Sequence, residues 1–167
     1  PTPINPAKRI YYPVTDNDAP IIAVAKDKEQ TSPIGIFMIK QDITPDSSKT
    51  TLDYMIKQYI INISCQMLNE RLNDMAQKAN PPFIGADTEY GNFILSKTKD
   101  ALTAEVDCKN DSITKSIASL IDEVQRIKQY GFTASEYERA KANYIKALET
   151  SYNNREQGDN GHYVNHY

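Results

Sequence analysis

The two histidines of the chain, His162 and His166, lie four residues apart, and their types and spacing come nearest to a metal site. Histidines at this spacing share one face of a helix and can bind one metal ion. In a zinc site of the H-x-x-E-H type, the glutamate before the second histidine accepts the proton of zinc-bound water. That position is Asn165 here, and an amide cannot accept this proton. Because one residue follows His166, we expect surface histidines on a frayed tail, with adventitious metal binding as the alternative.

Other catalytic signatures are missing from the sequence. It has no glycine-rich phosphate loop, no G-x-S-x-G motif and no cysteine–histidine nucleophile pattern. The cysteines are too far apart for a C-x-x-C metal site, since Cys65 lies on the apolar face of a predicted helix and Cys108 ends a predicted strand. We expect buried thiols, and a single disulfide between them stays open. We assign no catalytic, cofactor-binding or metal-binding residue to this chain.

The carboxylates and tyrosines are numerous, but the sequence does not bring them together in one place. Solvated surface charge is the usual state of aspartate and glutamate at strand ends and on the wet face of a strand. Examples here are Asp27, Glu29, Glu105 and Asp107. Four of the 11 tyrosines lie near predicted helical apolar faces, which favours a place in the core or at an interface. They are Tyr54, Tyr59, Tyr137 and Tyr144.

The composition is that of one ordinary globular domain. The 167 residues are 40% hydrophobic and 25% charged, with a net charge of −3. A nucleic-acid-binding protein normally has a basic excess, so this balance argues against one. No apolar stretch approaches the roughly 18 residues that span a bilayer, and the segment 1–6 has none of the order of a signal peptide.

Five runs of residues have the character of β-strands. Ala19–Asp27 and Pro33–Lys40 are short and β-branched, and they are compatible with neighbouring strands of one sheet. Phe83–Tyr90 is a further candidate, and Asn92–Thr98 and Ala101–Cys108 are stronger ones joined by a polar turn. In the last run, apolar and polar residues alternate, which predicts one buried and one solvent-facing side.

Three helices are predicted between and after these strands. The first runs from about 48 to 78 and ends before Asn80-Pro81-Pro82, because proline lacks the backbone donor. The second begins at a cap on Asn110 or Asp111 and ends at about Tyr130, and a capping box from Thr133 to Glu136 opens the third. The apolar stripe of the first helix comprises Leu52, Met55, Ile56, Tyr59, Ile60, Ile63, Met67, Leu68, Leu72 and Met75.

The order of these elements predicts an α+β domain with a mostly antiparallel sheet and helices packed on one face. Helices are grouped rather than alternating one by one with strands, which disfavours a parallel α/β fold. We divide the chain into a proline-rich linker at 1–15, the domain at 16–155 and a polar tail at 156–167 that leads to a missing following segment.

Three segments together resemble the second domain of the insulinase/pitrilysin family of zinc metallopeptidases, the inverzincins, and of its large bacterial members in particular. The first is Tyr12-Pro13-Val14 followed by the run from Pro20 to Glu29. The second is Leu68-Asn69-Glu70-Arg71-Leu72 followed by Pro82-Phe83-Ile84-Gly85-Ala86. The third runs from Gly131-Phe132-Thr133 to Arg139-Ala140-Lys141 and continues at Tyr152-Asn153-Asn154-Arg155. Their order and spacing cover nearly the whole chain.

This resemblance implies a metallopeptidase-like domain of the LuxS/mitochondrial processing peptidase type. In the family, the first domain carries H-x-x-E-H and the zinc, whereas the second has the fold without the ligands. The resemblance therefore implies an inactive domain with no cofactor of its own, zinc in the catalytic domain of a parent metalloendopeptidase, and a bacterial periplasm or cell envelope as the compartment.

The leading hypothesis is that the chain supports the catalytic and C-terminal domains of the same parent and helps to wall the chamber that admits its peptide substrates. The alternative is an independent peptide- or protein-binding module that pairs an exposed edge strand with a partner. Ile21–Ala25 and Leu102–Val106 are the candidate edges. Neither hypothesis involves nucleic acid or a membrane span.

Overall fold

A computed structural model describes residues 10–157, which form a three-stranded antiparallel sheet and three long helices. The strands are β1 (Ile34–Asp42), β2 (Gly85–Asn92) and β3 (Lys99–Asp107), and the helices are α1 (Leu52–Ala76), α2 (Ile113–Tyr130) and α3 (Ala134–Asn153). Short 3₁₀ turns lie at Asp46–Ser48 and Arg155–Gln157. The predicted α+β class with an antiparallel sheet and helices on one face is confirmed.

Strand β3 is the centre of the sheet, with β1 and β2 antiparallel on either side. The register places Phe37 of β1 and Thr88 of β2 opposite Ala104 of β3. Successive side chains of a strand point to opposite faces, so these three residues share the face that the helices cover. Their neighbours Ile36 and Glu105 share the other face.

The main core lies between the covered face of the sheet and helices α1 and α2. Seven buried side chains form it: Leu68, Leu72, Phe83, Ala104, Val106, Cys108 and Leu120. A Cβ at Gly35 would lie 3.1 Å from side-chain atoms of both Ile117 and Val106, so this glycine allows α2 to approach the sheet. A second, smaller cluster of Ile63, Met67 and Ala140 joins α1 to α3.

The ends of the helices follow the local sequence closely. Thr133 and Glu136 form the predicted capping box, in which each side chain accepts a hydrogen bond from the other residue's backbone N–H. The residue before α2 is Ser112 rather than the predicted Asn110 or Asp111, and its side chain makes no capping bond. Helix α1 begins and ends within a few residues of the predicted bounds.

Two predicted strands are wrong. Ala19–Asp27 has no regular structure, and its apolar side chains are exposed, Val24 to 91%. Its β-branched residues suit a pleated surface, but a strand also needs a hydrogen-bonded neighbour, and none lies beside it within residues 10–157. Asn92–Thr98 instead contains the turn between β2 and β3, where Ile94 has a φ of 53° and the Ser96 N–H donates to the Phe93 carbonyl.

The predicted apolar stripe of α1 is only half buried. Its second half lies in the two cores, whereas its first half is solvent-exposed, with Leu52 at 69%. Helices α1 and α3 are antiparallel, since Tyr59 packs on Tyr144 and Arg71 bonds Glu136. Apart from Tyr137, the exposed large apolar residues of both helices therefore lie at the same end of the pair. We call this set the helix-end patch; it comprises Leu52, Met55, Ile56, Ile60, Ile145, Leu148 and Tyr152.

Candidate functional site

The most perturbed charges in the described chain surround Arg71 on α1. Its guanidinium donates to the Glu136 carboxylate at 2.8 Å, to Glu123 of α2 at 3.1 Å and to the Gly131 carbonyl at 3.2 Å. It also lies 5.0 Å from the centre of the Phe132 ring. One cation thus ties all three helices together at their junction.

The electrostatics of this junction are those of a structural cluster. The Arg71 guanidinium lowers the pKa of Glu136 to about 2, with the Thr133 backbone and hydroxyl bonds adding to it and partial burial opposing it. Glu136, and then Glu123, raise the pKa of Arg71. Every charge here is matched by an opposite charge and by hydrogen bonds.

A polar groove of about 490 Å³ lies between α1 and the outer edge of β2. Asn69 of α1 reaches that edge: its amide donates to the Thr88 carbonyl at 2.9 Å and accepts from the Thr88 N–H at 2.7 Å and hydroxyl at 2.8 Å. The Phe93 N–H bonds Lys99, so alternate residues of β2 bond β3 and Thr88 points its backbone outward. The Asn69 amide therefore takes the place of a neighbouring strand at this residue.

Cys65 contributes the thiol of this groove. Cys65 lines it and is half-buried, and burial raises the pKa of its thiol. A raised pKa leaves less thiolate, which is the reactive form of cysteine. The other lining residues are amides, hydroxyls and carboxylates: Asn62, Gln66, Asn69, Glu70, Asn73, Thr88, Glu89 and Tyr90.

The face of the sheet opposite the helices is divided into an apolar and an acidic half. We call it the open sheet face; it comprises Ile34, Ile36 and Met38 of β1, Thr103, Glu105 and Asp107 of β3, and Asp87 and Glu89 of β2. Burial raises the pKa of Glu105, and the charges of Asp87, Asp107 and Glu89 raise it further. Among residues 10–157, no ion pair involves any of these four carboxylates.

The other end of the same face is closed by the segment before β1. Lys99 bonds Asp16 and Asp42, and the Val14 N–H donates to the Thr98 hydroxyl at 3.1 Å. Ala101, next along β3 on this face, is fully buried. The open sheet face is therefore the part of the sheet that this segment leaves uncovered.

The carboxylates singled out from the sequence lie in two places, with Asp27 and Glu29 in one turn and Glu105 and Asp107 on the open sheet face. His162 and His166 fall outside the described residues. Asp27 is exposed in a turn, where its carboxylate accepts a hydrogen bond from the Glu29 N–H. Glu105 lies on the solvent-facing side of β3, as predicted. No group of three or more histidine, cysteine or carboxylate side chains within residues 10–157 is arranged to hold a metal ion.

The predictions for the cysteines and tyrosines are confirmed in part. Cys108 is buried, Cys65 is half-buried, and the two thiols are not joined to each other. Tyr59 lies between α1 and α3, where its hydroxyl is 3.2 Å from that of Tyr137 and its ring packs edge-on against Tyr144.

Both predicted edge strands are wrong. Ile21–Ala25 is not a strand, and Leu102–Val106 belongs to β3, which is paired on both sides. Within residues 10–157 the outer strands are β1 and β2, and Asn69 occupies the outer edge of β2 at Thr88. Sequence reasoning also missed the roles of Arg71 and Asn69. The available signal was a run of three polar residues on a helix between Leu68 and Leu72, and these two leucines point into the core.

No helix in the described part of the chain combines the length and apolar character needed to cross a membrane. No protein-family model matches the sequence, and no curated protein matches it.

Two solved structures share the fold. The periplasmic protease PqqL from Escherichia coli matches with a TM-score of 0.67 and 17% identity, over 79% of this chain and 14% of the PqqL chain. The first half of the same protease matches with a TM-score of 0.58 and 18% identity, over 75% of this chain and 25% of that one. The match thus covers most of this chain but only a small part of either PqqL chain. At these identities, the likeness shows that this chain has a fold found within PqqL.

Proposed function

We propose that this chain is a non-catalytic supporting domain of a larger bacterial zinc metalloendopeptidase of the insulinase/pitrilysin type, in which zinc is bound by another domain. The motifs that resemble that family favour it, as does the fold shared with part of PqqL, a periplasmic protease. The periplasm is the compartment that we propose for the parent.

The observation that carries the proposal is the amount of apolar surface left exposed on two sides of a small fold. The helix-end patch contains seven large apolar side chains, and the open sheet face adds three more. Contiguous exposed apolar surface on a protein marks a site of interaction with another protein or domain. A domain that packs against other domains on both sides fits this surface, and a free-standing enzyme does not require it.

The internal chemistry of the domain supports the same role. The strongest charge cluster, around Arg71, is fully paired and fixes the helices, and the thiol in the α1–β2 groove, Cys65, has a raised pKa. Both features fit a domain whose side chains contribute to shape and packing.

The first test of the proposal is metal analysis and peptide hydrolysis with the purified chain. We expect no stoichiometric zinc and no cleavage of an unfolded peptide library after zinc is added. The His162→Ala/His166→Ala variant is the matched control. Zinc bound at one equivalent, with cleavage abolished in this variant, would show that the chain is itself an enzyme.

The second test asks whether the helix-end patch is covered by another domain in the parent protein. Met55 in the helix-end patch is 64% exposed, so peroxide should oxidise it rapidly in the isolated chain. In the longer polypeptide that would contain this domain, we expect Met55 to be protected, whereas equal oxidation in both would contradict packing at this patch.

An independent peptide-binding module is favoured by one observation, the free edge of β1. The Cys108 N–H bonds the Pro33 carbonyl, so the backbone groups of Ile34, Ile36 and Met38 point away from β3. An extended peptide that protects the amides of these residues from hydrogen exchange, with micromolar affinity for the isolated chain, would support the module over the supporting domain.

A further inference from the structure

The register of the sheet arranges the open sheet face in rows that run from apolar to acidic. Ile36 lies beside Glu105, which lies beside Asp87, and the next row is Met38, Thr103 and Glu89. These two rows begin with an exposed apolar side chain on β1 and end with a carboxylate on β2, whereas the Ile34 row has its carboxylate, Asp107, on β3. The face is therefore amphipathic across the strands rather than along them.

The apolar half of this face has no cover within the described chain. Ile36 is 52% exposed, and Ile34 and Met38 on either side of it are also exposed. A sheet is stable in water with one wet face when that face is polar. The stripe on β1 departs from this pattern, and its three residues line up on one strand, which indicates a surface that is covered in the functional state.

The dimensions of the face match those of a single helix. Three strands about 4.8 Å apart give a width of about 10 Å, which is the diameter of a helix with its side chains. The length from Ile34 to Met38 is about 14 Å at roughly 3.4 Å per residue, which corresponds to between two and three helical turns.

The charge of the face restricts what the helix can carry. The four carboxylates have no cationic partner among residues 10–157, and they lie close enough for the charges of three to act on Glu105. Covering them with an apolar or acidic surface would remove water without supplying an opposite charge, which is costly. Lysine or arginine would supply the charge, whereas a nucleic acid or an anionic lipid surface would be repelled.

We propose that the open sheet face binds an amphipathic cationic helix, with its apolar stripe on Ile34, Ile36 and Met38 and its lysine or arginine residues over the carboxylates of β2 and β3. A second copy of this chain would bring a second set of four carboxylates to the contact, so it fits less well. The inference rests on the face alone and does not depend on the parent being a protease.

The test uses a fluorescein-labelled peptide of about 18 residues with a leucine stripe flanked on one side by lysines, titrated with the whole chain. Two matched peptides accompany it, one with glutamate in place of lysine and one with two central prolines that prevent a helix. We expect the lysine peptide to bind, with affinity that falls as salt is raised, and the other two to bind at least about tenfold more weakly.

Variants of the chain locate the contact. Asp87→Lys and Ile36→Ser should each weaken binding by about tenfold or more, whereas Glu149→Lys, which makes the same charge change on the exposed surface of α3, should not. Thermal melting of each variant shows whether it is folded before it is titrated.

Several results would overturn the inference. These are no binding of the lysine peptide, equal binding of the glutamate or proline peptide, or equal effects of Asp87→Lys and Glu149→Lys. A concentration-dependent dimer of the chain alone that Ile36→Ser abolishes would replace the helix with a second copy. None of these results bears on zinc content, hydrolysis or the oxidation of Met55, so the proposed function stands or fails separately.

Discussion

The two sides of the sheet differ in whether their charged side chains are paired. On the helix side, Arg71 and its two glutamates lie at the junction of α1, α2 and α3, and each is hydrogen-bonded to an opposite charge. On the open side, Glu105 and its neighbours lie near one another with no cation of the described chain among them. Paired charges fix the internal geometry of the domain, whereas unpaired charges on an exposed face are available to a partner.

The largest effect that tests this comparison is expected from Arg71→Met. Removal of the guanidinium leaves Glu136 without a cation and Glu123 with only the exposed Arg126 at 3.5 Å, at a mostly buried junction, which should cost about 3 to 5 kcal/mol of unfolding free energy. Urea unfolding measures the loss. Arg139→Met is the control, because Arg139 pairs with Glu70 on the exposed surface and its loss should leave the midpoint nearly unchanged. Equal losses of unfolding free energy in the two variants would mean that the Arg71 cluster stabilises the domain no more than an exposed ion pair does.

A pair of adjacent residues on β1 sharpens the contrast between the faces. Phe37 packs against the main core, and Phe37→Ala should cost about 3 kcal/mol, the lower end of the range for a core phenylalanine because its ring is only half-buried. Ile36, on the open sheet face, should change stability by less than about 0.5 kcal/mol when it becomes alanine. Comparable losses at both positions would mean that the open face is already covered in the isolated chain.

The edge of β2 should show an intermediate effect. Asn69→Leu leaves the buried Thr88 N–H and carbonyl without partners, at a cost of about 1 to 3 kcal/mol, and should speed hydrogen exchange at the Thr88 amide. Asn69→Asp keeps the acceptor for the N–H and loses only the donor to the carbonyl, so its effect should be smaller. Equal losses of unfolding free energy in the leucine and aspartate variants would contradict a role for Asn69 in capping the edge of β2.

The smallest effect is a dependence of stability on pH. The pKa of Glu136 is lowered to about 2 from its ordinary 4.5, so the folded state favours the charged form. Its stabilisation is complete above the ordinary pKa and is lost as the pH falls from about 4.5 towards 2. Glu136→Gln should flatten this part of the curve of urea midpoint against pH. An equally steep acid loss in the variant would assign it to other carboxylates.

The sequence predicts those parts of the fold that depend on local periodicity. The three helices and the strands β1 and β3 lie within a few residues of their predicted places, because apolar spacing and caps such as Thr133 act over short distances. The strand predicted at Ala19–Asp27 does not form, because strand formation depends on a hydrogen-bonded neighbour that the sequence of the run does not reveal. The turn at Ile94 was missed because a positive φ at a β-branched residue has no sequence signal.

The candidate surfaces were harder to predict than the helices. Arg71 meets Glu123 and Glu136 across separations of 52 and 65 residues, and on α1 it has the sequence character of an ordinary surface cation. The alternation in β3 correctly placed Glu105 on the solvent-facing side. The acidic half of the open sheet face was not predicted, because it depends on the register that brings Asp87 beside Glu105.

The Asn69 amide gives this sheet a single direction of extension. A side-chain amide has the same donor and acceptor as a peptide group, and here it is attached to a helix that cannot itself continue the ladder. Any fourth strand, from this polypeptide or another, must therefore join at β1. Enlargement of the domain during evolution or by protein engineering would then add strands next to the apolar residues of β1. The carboxylates of β2 would stay at the outer edge of the sheet.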